Sequence, residues 1–259
     1  MKGTSIVAGA LSSTLDSREL TYGQYSSRSV SHLPEMGGVG KIPLVIHHQH
    51  RLPTCTGEAG ASLRAITHFQ QTGRIMDFSA LFIYKMNRLY DGLAADVRGS
   101  TLKATMQSLK HKGACRERLY PSTKANCDRP FPNAKQGGKL LLADAAQFKM
   151  GDYLRCVCLD DILLALSDGR PVIFSLVIYT DFYLADRGLV AEEIKGERIG
   201  GHSMVAMNYD LQRQLIEVVQ SWGKSAQGPT DHGYMYIPFN WFKQKVEGRS
   251  LLLEAYAPL

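Results

Sequence analysis

The stretch HQHRLPTCTGEAGASL, residues 48–63, decides the fold. Its Cys55 follows a Pro-Thr turn and opens a run rich in Ala, Gly, Leu, Ile and Phe that carries few charges as far as about Gln71, just ahead of Gly73. That composition predicts a central helix packed on most of its sides, with Gly73 as its stop because glycine enters the left-handed region without a Cβ penalty. A cysteine at the first turn of a helix lies at the positive end of the dipole, which favours the thiolate, the nucleophilic form. The same position also suits a small, inert, buried thiol. Deciding between the two requires partners elsewhere in the chain: a histidine to exchange the proton, a group to orient that histidine, and donors for an oxyanion.

Working outward, residues 1 to about 40 are rich in Ser and Gly, include MGGVG at 36–40 and show no sustained period, so they read as an extension or strap. IPLVI at 42–46 predicts a short buried strand. Helical spacing returns in FSALFIYKMNRLY (78–90) and in STLKATMQSLKHK (100–112), where Leu102, Met106 and Leu109 share a face ahead of Gly113. PSTKANCDRPFPNAKQGGK (121–139), with its prolines and glycines, predicts a loop joining two lobes. A helix over 159–168 then precedes RPVIFSLVIY, GHSMVAMNYD, QLIEVVQSW and GYMYIPF, which read as successive strands. Helices first and antiparallel strands last give an α+β chain of two unlike lobes.

With 259 residues, 44% of them hydrophobic, the chain can build a substantial core. Its net charge of +6 comes without a long basic block. The densest basic stretch, Lys110, His111, Lys112, Arg116 and Arg118, lacks interleaved aromatics and reads as solvated surface, so no nucleic-acid partner is expected. No apolar run approaches the roughly 18 residues of a membrane span. The first residues, MKGTSIVAGALSS, make a poor signal peptide, and cytoplasmic residence is the default expectation. The five cysteines, Cys55, Cys115, Cys127, Cys156 and Cys158, are too few and too scattered for a disulfide framework, although Cys115 and Cys127 are spaced to close a small loop under oxidising conditions. His47, His48 and His50 have no Cys or carboxylate at zinc spacing, so neither a metal nor another cofactor is expected.

Three segments together carry a resemblance: Gln49 six residues ahead of Cys55, GGHSMVAMNYD at 200–210, and VVQSWGKSAQGPTDHGYMYIP at 218–238. From about residue 42 to 240 the chain resembles the papain-like (C1) cysteine peptidases in their bacterial, short-loop form. His202 also falls within the family's interval of roughly 130 to 150 residues after the cysteine. The resemblance implies a two-lobe papain-like fold over 41–259: a helical lobe (about 55–130) carrying the cysteine, an antiparallel, barrel-like strand lobe (about 131–259) carrying the histidine, and the 41–54 segment crossing between them.

By the same resemblance Cys55 is the nucleophile and His202 the general base and acid. Gln49 and the Cys55 backbone N–H form the oxyanion hole. Trp222 shields the amide that orients the histidine, while Gly99, Ser100 (next to Arg98) and Gly201 line the path of an extended peptide. Three positions depart from the family pattern. Gln220 stands where the orienting Asn is usual, Pro53-Thr54 replaces a small-residue turn, and Glu58 brings negative charge into the first helical turn. The implied activity is peptide-bond hydrolysis through a Cys55 acyl-enzyme, with a peptide or protein substrate between the lobes. A catalytically impaired peptide-binding module and a Cys-dependent deamidase or transamidase are the alternatives.

Overall fold

The computed structural model describes residues 8–13, 19–94, 96–224 and 229–259. In chain order the elements are β1 (Ala10–Leu11), α1 (Tyr22–Tyr25), β2 (Met36–Gly38), α2 (Cys55–Thr72), α3 (Ala80–Asp91), β3 (Ser100–Thr101), α4 (Leu102–His111), α5 (Lys124–Asp128), α6 (Gly138–Ala145), β4 (Tyr153–Arg155), α7 (Leu159–Ser167), β5 (Val172–Tyr179), β6 (Arg198–Asp210), β7 (Leu215–Val219), β8 (Tyr234–Pro238), α8 (Asn240–Lys243), β9 (Lys245–Val246), β10 (Arg249–Ser250) and β11 (Leu252–Pro258).

The apolar run after Cys55 forms α2, buried on nearly every side from Cys55 to Ala61 and again at Leu63, Ile66 and Thr67. Two glycines let its neighbours approach. A Cβ on Gly57 would lie 2.3 Å from the Ala80 carbonyl, and one on Gly60 would lie 2.8 Å from the Thr105 methyl. Gly73 ends the helix at φ 66°, with its N–H on the Phe69 carbonyl. Leu63 and Ile66 of α2 share a core with Phe82 and Ile83 of α3 and Leu102, Met106 and Leu109 of α4. Leu141, Ala145 and Met150 join this helical core from α6 and the segment that follows it.

β6, 13 residues long, organises the strand layer. It pairs antiparallel with β5 and then β2 along one edge, and with β1 and then β7 along the other. The period of two sends Val205 and Met207 toward the helical core and Met204 and Ala206 into a second core beneath α7 and Trp241. The arrangement is α+β: helices in the first half and an antiparallel sheet in the second.

Several local expectations change. Residues 42–46 form no strand: Ile42, Leu44 and Ile46 do face the helical core in alternation, but among the described residues nothing hydrogen-bonds beside them as a ladder, and Pro43 has no N–H to give one. The 121–139 stretch is not all loop. Thr123 caps α5 through the Asn126 amide, Asn133 caps a 3-10 turn, and Gly138 begins α6. Ser100 and Thr101 form β3, and Thr101 then caps α4 through the Ala104 amide. All five cysteines are free, so Cys115 and Cys127 make no disulfide. Among the described residues, no helix is long and apolar enough to cross a membrane and no cluster of His, Cys, Asp or Glu is arranged to hold a metal ion.

Candidate active site

Cys55 is the first residue of α2 and is fully buried. Burial pushes its thiol pKa up, while the Ser203 and Gly9 amides, the Ser203 hydroxyl and the Thr56 amide draw it part of the way back. Ser203 is the neighbour of His202 on β6, so the sulfur lies against the strand that carries the imidazole. Two sequence-distant segments, the start of α2 and the middle of β6, are thereby joined.

His202 is likewise fully buried, and that burial lowers its pKa to about 4. The Gln220 amide acts in the opposite direction. It comes close enough to favour a protonated ring but makes no well-formed hydrogen bond with either ring nitrogen among the described residues, and its own two polar atoms have no such partner either. β7 ends at Val219, opposite Val205, and the chain continues past Gln220 to Trp222. The Trp222 indole stacks on the His202 ring at 4.9 Å and 28°, and Tyr183 stacks on the same indole at 5.1 Å. The indole therefore excludes water from the imidazole, which adds to the cost of charging it.

Gln49 is 1% exposed and rigidly placed. Ser221 donates its hydroxyl to Gln49 Oε1 at 2.7 Å, Gln49 Nε2 donates to the Leu52 carbonyl at 2.9 Å, and the Gln49 N–H donates to the Ser221 carbonyl. Gln220 and Ser221 thus point to different partners, one toward the histidine and one toward the glutamine, as adjacent residues on an extended chain must. Ser221 and Ser203 are site residues that sequence reading passed over, since an isolated serine carries no motif.

The N-terminal segment occupies the groove above these groups. β1 pairs parallel with β3, Ala10 opposite Ser100, and antiparallel with β6, Ala10 opposite Gly201. The Ser100 N–H donates to the Gly9 carbonyl at 2.9 Å. Gly99 (φ 96°) and Gly201 are the walls that admit this backbone: a Cβ on Gly99 would meet the Gly9 carbonyl at 2.2 Å, and one on Gly201 would meet the Ala10 carbonyl at 2.2 Å. Further along, the buried Glu254 carboxylate accepts from the Ser13 amide and hydroxyl and from the Leu102 amide at 2.7 Å, tying the segment to the start of α4. Beside this crossing lies an open cleft of about 1630 Å³, lined by residues from both lobes including Arg51, Pro53, Tyr84, Arg98, Tyr183 and Trp222.

The residues singled out in the sequence fall into neighbouring groups. Gln220 and Trp222 flank His202, Gln49 is held to Ser221 beside them, and Cys55 meets Ser203, the residue next to His202 on β6. Ser203 and His202, adjacent on the strand, face opposite sides, and neither ring nitrogen of His202 has a hydrogen-bond partner, the Cys55 sulfur included, among the described residues. Gly99, Ser100 and Gly201 border the groove filled by the N-terminal segment. The overall backbone is similar to that of xylellain, a cysteine protease from Xylella fastidiosa, with a TM-score of 0.79 over 100% of this chain and 97% of that one at 19% identity. The chain has the papain-like cysteine peptidase fold. Procathepsin L 3 of the Tenebrio molitor larval midgut superposes on this papain-like chain with a TM-score of 0.68 at 14% identity, covering 98% of this chain and 76% of that one. Procathepsin B from Trypanosoma congolense gives 0.66 at 14% identity, covering 99% and 87%. In sequence the papain-like chain is 26% identical over 204 residues to an uncharacterized peptidase C1-like protein of Acanthamoeba polyphaga mimivirus. The match takes in 74% of this chain and spans 64% of that relative's length. No family model matches the chain.

Proposed function

We propose that the protein is a papain-like thiol peptidase in which Cys55 attacks a peptide carbonyl and His202 moves the proton. The observation that supports this reading is that Cys55 at the start of α2 meets Ser203, the residue beside His202 on β6, while Trp222 stacks on the imidazole and Ser221, one residue before Trp222, holds Gln49. In the reaction the Cys55 sulfur loses its proton to His202 and bonds to the substrate carbonyl carbon. The resulting oxyanion is held by the Gln49 amide and the Cys55 N–H. His202 then protonates the departing amine, leaving a thioester, which water hydrolyses with His202 as base. Gln49 is suited to its part because Ser221 and Leu52 fix its plane before substrate arrives.

In the form described, the crossing segment Ala8–Leu11 excludes a substrate, and burial keeps both Cys55 and His202 uncharged near neutral pH. This is a resting state. Withdrawal of that segment would readmit water, raise the imidazole pKa and lower that of the thiol, restoring the ion pair that attack requires. The five free thiols suit a reducing compartment such as the cytoplasm.

A second reading has its own observation. The poorly engaged Gln220 amide leaves His202 without a firm orienter, which suits a protein that binds peptides in this groove without cleaving them. A proteome-derived peptide library incubated with wild type and with Cys55→Ala separates the two. Cleavage products present only with wild type support the peptidase. Peptides retained by both proteins without any cleavage support the binding module.

A further inference from the structure

His47, Glu58 and Asp77 form a cluster that the proposed reaction does not use. His47 lies on the segment that crosses between the lobes, with Nδ1 2.9 Å from Glu58 Oε2 and Nε2 2.7 Å from Asp77 Oδ1. A carboxylate only accepts hydrogen bonds, so both ring nitrogens must donate, and an imidazole that donates from both is an imidazolium. Burial works against that charge, but the hydrogen bonds and charges of Asp77 and Glu58 outweigh it and push the His47 pKa up to about 10. The other Glu58 oxygen accepts from the Thr54 hydroxyl at 3.1 Å. Glu58 is 3% exposed, sits in the first turn of α2 and lies three residues beyond Cys55, on the same side of the helix.

A lone carboxylate in that place would oppose a thiolate on Cys55 and cancel the positive helix end beneath it. We propose that His47 is a positioning residue for the Cys55 thiol: clamped between Glu58 and Asp77, it neutralises the Glu58 carboxylate and fixes the Thr54 turn, so that the start of α2 stays favourable to a thiolate. The proposal rests on the reading of Cys55 as nucleophile.

The surroundings bear on the sign. His47 faces Glu58 from α2 and Asp77 from the loop before α3. Together with His48 from its own segment and Glu117 from the loop after α4, these groups line a cavity of about 160 Å³. Glu117 is engaged separately, accepting from the Ser122 amide at 2.6 Å and its hydroxyl at 2.7 Å. Burial raises the Glu117 pKa, and the charge on His47 pulls it back. On the Cys55 side the titratable neighbour is Tyr84 of α3, whose own pKa feels the Cys55 charge, and Ser203, next to His202 on β6, meets the sulfur. No cation other than His47 is within ion-pair distance of Glu58 among the described residues, so removal of His47 leaves that carboxylate uncompensated.

The test is a pH titration of the Cys55 ¹³Cβ resonance in the full-length chain, assigned by its loss in Cys55→Ala. His47→Gln is expected to raise the midpoint by about one pH unit, roughly tenfold in proton affinity, as one uncompensated charge at close range does. Glu58→Gln, which leaves the His47 charge in place, is expected to lower it, and the double variant to return it close to the wild-type value. A clamp that served packing alone would leave the midpoint unmoved in both single variants, and that result overturns the proposal. Where His47→Gln fails to fold, Glu58→Gln decides: an unchanged midpoint overturns the proposal and a lowered one supports it. Absence of turnover in wild type would sink the peptidase reading, yet the titration still reads the coupling of His47 to Cys55, so the two failures are distinguishable.

Discussion

Ala10 is the strand partner of Gly201, the residue immediately before His202. Because Gly9 and Ala10 also pair with β3 on the opposite wall, one short backbone segment closes the groove from both sides. Displacing it should expose Cys55.

A side chain at Gly9 is the least intrusive way to do so, since a Cβ there would lie 2.5 Å from the Pro53 backbone carbonyl, an atom that cannot swing away. Gly9→Val is expected to lift the segment and raise the rate of Cys55 alkylation by iodoacetamide at least tenfold, with turnover rising in parallel. Mass spectrometry of the alkylated Cys55 peptide measures it. An unchanged rate would show that residues 8–11 do not limit access.

The His202 pKa of about 4 sets a pH dependence of stability. An unfolded histidine titrates near 6.5, so between about pH 6.5 and 4 the unfolded chain binds a proton that the folded chain refuses. Stability is therefore full above pH 6.5 and falls as the pH is lowered through that window. The loss from this group alone reaches at most about 3 kcal/mol. Urea unfolding of wild type and His202→Phe at pH 7 and pH 4.5 should show the wild type losing more than the variant, and equal losses would contradict the buried, neutral imidazole.

Gln220 carries two buried polar atoms without a hydrogen bond among the described residues, an arrangement that costs folding free energy. Gln220→Met, similar in volume, should stabilise the protein by about 1 kcal/mol in denaturant unfolding while lowering kcat, because no amide is left to orient His202. Gln220→Asn should keep or raise kcat. If Gln220→Met retains wild-type kcat, Gln220 has no part in the reaction and the Cys55 and His202 dyad acts alone.

Gln49 and Ser221 should separate in degree. Gln49→Ala removes an oxyanion donor and is expected to lower kcat by about 10 to 1,000-fold with KM little changed. Ser221→Ala keeps that donor but frees its plane by deleting the 2.7 Å bond to Oε1, so a smaller loss, again in kcat, is expected. A raised KM with unchanged kcat in either variant would assign the pair to substrate binding instead.

Much of this was legible along the chain. The dense small and apolar run after Cys55 can only be a helix surrounded by other elements, and Gly73 marks its end by a conformation that glycine adopts freely. The runs rich in β-branched and aromatic residues from β5 through β8, separated by turn residues, likewise foretold successive strands, because strand propensity and turn chemistry are local properties of the residues themselves. The segment at 42–46 shows the limit of that reasoning. Its alternation is real, but a strand needs a hydrogen-bonding neighbour, and none is written in the segment itself.

The sequence by itself determined which residue types stand ready for thiol chemistry: Cys55 at a helix start, His202 in a strand, Gln49 and Trp222 at telling distances from them. Only the tertiary structure decided what state they are in. That Ser203 rather than a solvent channel faces the sulfur, that Ser221 fixes Gln49, that His47 is held between two carboxylates, and that Gly9 and Ala10 fill the groove all depend on contacts between segments far apart in the chain. The physical reason is that protonation and access are set by burial and by close charge pairs, and both arise only when distant segments pack together.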